Sequence, residues 1–119
     1  MTALALGRAI AGGDIDPVAL TEHFLERMND GDGDRVVYLT AMPERARAEA
    51  KAAAGRAAAG QRLGPLDGVP MSWKDLFDSA GTPTTAASPI FAQRVPDTDA
   101  TLLARASRAG MVCLGKTNL

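Results

Sequence analysis

The 119 residues contain a single cysteine, Cys113, and a single histidine, His23. One cysteine excludes a disulfide framework and a cysteine-based zinc site. One histidine, set in an amphipathic helical pattern and remote in sequence from any serine or cysteine that reads as a nucleophile, argues against Ser-His-Asp and Cys-His catalysis. Cys113 falls inside an apolar run and reads as inert core. Excess charge is also lacking. The formal net charge is -1, so no basic face for nucleic acid is expected. No apolar run is long enough to span a bilayer. Residues 1–8 have neither the basic start nor the apolar stretch of a secretory signal. The expectation is therefore a cytoplasmic protein without a membrane partner. Hydrophobic residues at 46% and charged residues at 23% are ordinary for a globular chain, and the length allows one small domain.

What is present divides at about residue 62. Residues 1–62 read as a mainly helical segment. A first helix over 2–12 ends at Gly12-Gly13. Asp16 caps a second, with Pro17 in its first turn. Val18, Thr21, Phe24, Leu25 and Met28 form that helix's buried stripe. Asn29-Asp30-Gly31-Asp32-Gly33-Asp34 stops it; the loop lacks the glutamate a calcium site needs and reads as a solvated turn. Residues 36–39 are a short extended piece. A third, alanine-rich helix starts at Pro43 and ends at Gly60, with Glu44 and Arg47 spaced to pair.

Residues 63–119 read as strand, loop, helix, strand. Val69, Met71 and Trp73 alternate with Pro70, Ser72 and Lys74, which predicts a strand over 69–74. Residues 82–89 should form an irregular loop. Asp97-Thr98-Asp99 places acids at the start of a last helix. Leu102, Leu103, Ala106 and Ala109 are its expected buried face, and Gly110 its end. Met111-Val112-Cys113-Leu114 reads as a strand covered on both faces. Such a unit gives two parallel strands joined by a right-handed crossover. The fold class is α/β.

Two lysines invite a functional reading. Gly110-Met111-Val112-Cys113-Leu114-Gly115-Lys116-Thr117 has the spacing of a phosphate-binding loop. That mechanism needs a strand before the first glycine and a helix after the lysine. Here a helix precedes and the residues between are strand-like, so nucleotide binding is not expected. Lys74 sits where a strand ends, and in open α/β sheets ligands bind beyond the carboxyl ends of strands. Partial desolvation there would favour its neutral form, which accepts a proton from a hydroxyl.

Around Lys74 the sequence resembles a known family. Gly64-Pro65-Leu66-x-Gly68-Val69-Pro70-x-x-x-Lys74-Asp75 resembles the lysine-bearing segment of the amidase signature family. Gly81-Thr82-Pro83-Thr84-Thr85-Ala86-Ala87-Ser88 is similar to that family's next loop. Asp99-Ala100, Leu103, Ala109-Gly110 and Leu114-Gly115-Lys116-Thr117-Asn118-Leu119 continue the resemblance in order. Ala87 departs from it, standing where the family usually has glycine.

The resemblance implies an amidase that cleaves carboxylic amides by Ser–cis-Ser–Lys chemistry, with Lys74 as the catalytic lysine and no cofactor or metal. The implied ligand is a small-molecule amide. The family's two catalytic serines lie downstream of the Lys-Thr-Asn stretch, and Ser72, Ser79, Ser88 and Ser107 match neither. The expectation is thus the N-terminal part of a larger α/β/α mixed-sheet amidase domain, carrying only one triad member and inactive alone. Its exposed sheet edges would favour self-association. Residues 71–77 look more like a general amidase. The alternatives are the amidase subunit of a tRNA-dependent amidotransferase and a non-catalytic truncated fragment.

Overall fold

A computed structural model describes residues 1–30 and 37–119. Helix α1 is Ala3–Gly12. Thr2 Oγ1 accepts from the Ala5 amide at 3.1 Å to start it, and Gly13 at φ 79° ends it. Helix α2 is Pro17–Asp30, begun by Asp16, whose carboxylate accepts from the Ala19 amide at 3.0 Å. Strand β1 is Tyr38–Ala41, and helix α3 is Pro43–Ala58 with proline in its first turn. Strand β2 is Pro70–Lys74. A single 3-10 turn, Pro89–Phe91, punctuates the loop that follows. Helix α4 is Thr101–Arg108, and strand β3 is Val112–Thr117.

The three strands form one mixed sheet in the order β1-β3-β2 among the described residues. β2 and β3 are parallel neighbours, and β1 runs antiparallel on the other side of β3. The parallel pair slips by one residue between Met71 and Ser72, a bulge that sets the facing of everything beyond it. The outer edges of β1 and β2 carry no strand among the described residues.

Alternation along β3 builds two cores. Val112 and Leu114 pack with Leu25 of α2 and with Ala46 and Ala50 of α3. Cys113 packs with Met42, with Trp73 of β2 and with Leu103 of α4. Helices therefore cover both faces, which is why β3 reads as an unbroken apolar run. Alanines in α3 let that helix lie close to the sheet. Gly115 serves the same end across the strands: a Cβ there would sit 2.5 Å from the Thr40 carbonyl oxygen. Gly7 lets α1 touch the loop before β2, since a Cβ would lie 1.8 Å from the Pro65 oxygen.

The short extended piece expected at 36–39 corresponds, from Tyr38 on, to β1, which runs on to Ala41 and joins the sheet. Several other local expectations are corrected. β3 runs on through Thr117 rather than stopping at Leu114. Arg47 does not pair with Glu44; its guanidinium forks onto Glu22 of α2 at 2.6 and 2.9 Å. A bidentate partner on a neighbouring helix is geometrically better than one along its own. Asp99 does not cap α4, whose first turn has no acid. It binds Arg45 of α3 through both oxygens, at 3.1 and 2.8 Å. In α4 only Leu103 is fully buried, with Ala106 partly so; Leu102 and Ala109 face solvent. The acidic loop at 29–34 lies mostly outside the described residues, as does residue 36.

Candidate active site

Lys74 is the last residue of β2 and is exposed. The pleat puts Ser72 and Lys74 on one side and buried Trp73 on the other. The backbone around Lys74 is tightly held. Its carbonyl accepts from the Phe77 amide at 3.1 Å, and the Asp75 amide donates to the Thr117 carbonyl at 3.0 Å. Thr117 Oγ1 donates to the Trp73 carbonyl at 3.2 Å. Two residues back, Ser72 Oγ lies 2.8 Å from the Tyr38 hydroxyl. The expected desolvation of Lys74 is not met within these residues. Among the described residues β2 lies at the edge of the sheet, and the Lys74 side chain at its end is exposed to water.

The desolvated lysine is Lys116. It is fully buried in β3, with Nζ 2.8 Å from Asp75 Oδ1. The same amine touches Thr84 Oγ1 and the Pro83 carbonyl, the latter at 3.3 Å. Asp75 is 1% exposed. Its other oxygen accepts from the Thr85 amide at 2.9 Å and the Thr85 hydroxyl at 2.5 Å. Burial works to raise the Asp75 carboxyl, but Lys116 and the Thr85 donors outweigh it and hold it below the usual carboxylate range. Lys116 thus has a full set of partners inside a sheet, not a phosphate cradle, and the nucleotide-loop spacing is coincidental.

Beyond Asp75 the chain turns tightly over the strand ends. The Ala86 amide donates to the Asp75 carbonyl at 3.1 Å, and the Ser88 amide to the Thr85 carbonyl at 2.8 Å. Ala86 and Ala87 have φ of 49° and 52°. Two left-handed residues between Thr85 and Ser88 make a turn that glycine suits best. The glycine usual at position 87 in the resembled family has a backbone reason here.

The other end of β2 is fixed by a second buried acid. Asp67, 1% exposed, takes the Arg56 fork at 2.9 and 2.6 Å and the Leu63 amide at 2.9 Å. Burial raises its carboxyl, yet Arg56 and the amide win and hold it low. The Gly68 amide donates to the Gly110 carbonyl at 2.8 Å, and that of Val112 to the Val69 carbonyl at 3.0 Å. The lysine-bearing strand is clamped before and after by a buried aspartate.

Other candidates are set aside by their surroundings. His23 is exposed and packs edge-on against Phe24. Cys113 is buried beside Met42, and burial pushes its thiol up to about 11. Ser72 is engaged with Tyr38, Ser88 caps the 3-10 turn, Ser107 lies against Arg45 and Glu49, and Ser79 is buried. Among the described residues no cluster of His, Cys, Asp or Glu could hold a metal ion. No helix among them is long and apolar enough to cross a membrane.

The Amidase family matches residues 19–119. A glutamyl-tRNA(Gln) amidotransferase subunit from Thermobifida fusca is 43% identical over 119 residues, all of this chain and 24% of that protein. The protein of the same description from Anaeromyxobacter dehalogenans is 44% identical over 113 residues, 95% of this chain and 23% of that protein. Among solved structures, the peptide amidase of Stenotrophomonas maltophilia superposes with a TM-score of 0.90 at 34% identity, over the whole of this chain and 25% of that one. A chain of the vestigial complex linked to the origins of an s-triazine catabolic enzyme gives 0.92 at 36% identity, over 98% of this chain and 26% of that one. The chain spans about a quarter of the length of the relatives it matches.

Proposed function

This chain belongs to the amidase family, and from that premise we propose that it contributes the proton-accepting lysine of a Ser–cis-Ser–Lys amide hydrolase. The observation that carries the reading is Lys74 itself: an exposed amine at the carboxyl end of a clamped strand, inside the segment that resembles the family's lysine-bearing motif. Serine is a poor nucleophile until a neighbouring base takes its proton. A neutral Lys74 would accept a proton from a bridging serine, which in turn takes one from the nucleophilic serine. The nucleophile adds to the amide carbonyl, ammonia or an amine leaves with the relayed proton, and water releases the acid. Neither serine is among the 119 residues. The rest of the active site would cover Lys74 and supply the desolvation this chain does not. The substrate is a small carboxylic amide.

A second reading is the amidase component of a tRNA-dependent amidotransferase, in which the released ammonia passes to another active site. Its support is that curated relatives at 41–44% identity are described as glutamyl-tRNA(Gln) amidotransferase subunits. The lysine's role is the same in both readings. They part on whether ammonia is released freely without a partner protein.

The test joins residues 1–119 to the matching remainder of the Stenotrophomonas maltophilia peptide amidase. The longer protein should release ammonia or amine from a simple amide, and the 119-residue chain should not. Steady turnover by the 119 residues alone would overturn the reading.

A further inference from the structure

We propose that Lys116, acting through Asp75, is a positioning residue for Lys74. The proposal rests on the reading of Lys74 as the proton acceptor, but its geometry stands separately. Asp75 follows Lys74 directly and joins three pieces of chain. Its amide is bonded to Thr117 at the end of β3, and its carbonyl to Ala86 in the turn beyond. One carboxylate oxygen takes both donors of Thr85, and the other faces Lys116 at 2.8 Å. Lys116 holds the same turn from beneath, through Thr84 Oγ1 and the Pro83 carbonyl.

The turn itself shows that something must hold it. Ala86 and Ala87 occupy the left-handed region at φ 49° and 52°. Residues with a Cβ stay there only where the surroundings over-determine the backbone. The surroundings here are Asp75 and Lys116, together with the bonds from the Thr84 amide to the Arg94 carbonyl at 3.0 Å and from the Ala87 amide to Thr85 Oγ1 at 3.2 Å. The pair is wholly inside the protein, where packing permits discrete arrangements rather than gradual drift. Without the Lys116 ammonium, the Asp75 carboxylate would be a buried charge lacking its counterion and would move toward water. It would release the turn and carry the Lys74 backbone with it. A lysine that must meet a hydroxyl within hydrogen-bond reach is sensitive to shifts of about an ångström.

A lysine that merely fills the core predicts something different. Removing both charges together would then restore everything. Hydrogen exchange on the 119-residue chain separates the two, read at the Thr85 and Ala86 amides against the core amide of Val112. The signal of the Lys74 methylene next to the amine, referenced to exposed Lys51, is read in parallel. Lys116→Met should speed exchange at Thr85 and Ala86 by roughly tenfold or more and shift the Lys74 signal while Lys51 stays put. Asp75→Asn/Lys116→Met strands no charge and should regain resistance to unfolding, yet keep the fast exchange and the displaced Lys74 signal, because methionine cannot donate to Thr84 Oγ1 and the Pro83 carbonyl. Should the single variant not fold, the double variant decides. Slow exchange at the turn in the double variant, fast exchange there in the unaltered chain, or an unmoved Lys74 signal overturns the proposal. An active Lys74→Ala enzyme would instead overturn the reading of Lys74 and leave the turn measurements intact.

Discussion

Lys116 Nζ lies 2.8 Å from Asp75 Oδ1, and neither side chain is more than 1% exposed. Breaking a buried pair by removing one partner strands the other charge and costs about 3–5 kcal/mol. Lys116→Met should lower the stability of the chain to urea by that order. Asp75→Asn/Lys116→Met should lose less than Lys116→Met alone. A loss in the double variant equal to the sum of the Lys116→Met and Asp75→Asn losses would mean that the pair is not coupled.

Acid should unfold the protein through its buried carboxylates. Burial opposes the ionised forms of Asp67 and Asp75, but Arg56 and Lys116 with their accompanying donors hold both below the ordinary range. The Arg45 fork does the same for Asp99. A carboxyl depressed in the folded state stabilises it above the unfolded value, about 3.9 for aspartate, and that contribution is lost as pH falls through the folded value. Urea midpoints should therefore hold steady from about pH 7 to pH 5 and fall steeply below about pH 4. A midpoint unchanged at about pH 3 would contradict this.

Ala87 carries a φ of 52° that alanine disfavours. Ala87→Gly should stabilise the chain, by up to about 1 kcal/mol once glycine's greater unfolded-state freedom is offset. Thermal unfolding of the two proteins side by side checks this. A destabilised glycine variant would mean the turn is not left-handed in solution.

The outer edges of β1 and β2 are unpaired among the described residues, and Leu76, Ile90 and Leu119 are at least half exposed. Open edges and apolar side chains favour association. The 119-residue chain should form dimers or larger species as concentration rises, measured by sedimentation. A strict monomer with a sharp, cooperative melt would argue for a finished domain with another role.

Local signals in the sequence were enough for the helix boundaries. Asp16-Pro17, Gly13 and Gly60 act within a few residues of themselves, and the structure places α1, α2 and α3 accordingly. The parallel β2–β3 unit was legible for the same reason, since apolar runs and a helical stretch lie between turn residues. What escaped depends on packing. Arg47 has an acid at i−3 but takes Glu22 from the next helix. Asp99 stands where a cap belongs but pairs with Arg45, 54 residues away. Leu102 fits a helical stripe yet points outward, because α4 is only eight residues long and meets the sheet mainly through Leu103.

The candidate site divides in the same way. The strand that ends at Lys74 was readable from its alternation, while the role given to that lysine rests on resemblance alone. Lys116, masked by a coincidental phosphate-loop spacing, gave no sign that it would pair with Asp75, 41 positions earlier in the chain. Asp67 stood within the turn motif, but its Arg56 partner belongs to the helix before it.

Proton acceptance by the amine at position 74 during amide cleavage is tested most directly by the turnover of variants at that position in the lengthened protein. Lys74→Ala and Lys74→Arg should both fold and both lose nearly all ammonia release, the arginine because a guanidinium does not become neutral at working pH. Turnover comparable to the unaltered enzyme in either variant would contradict that role.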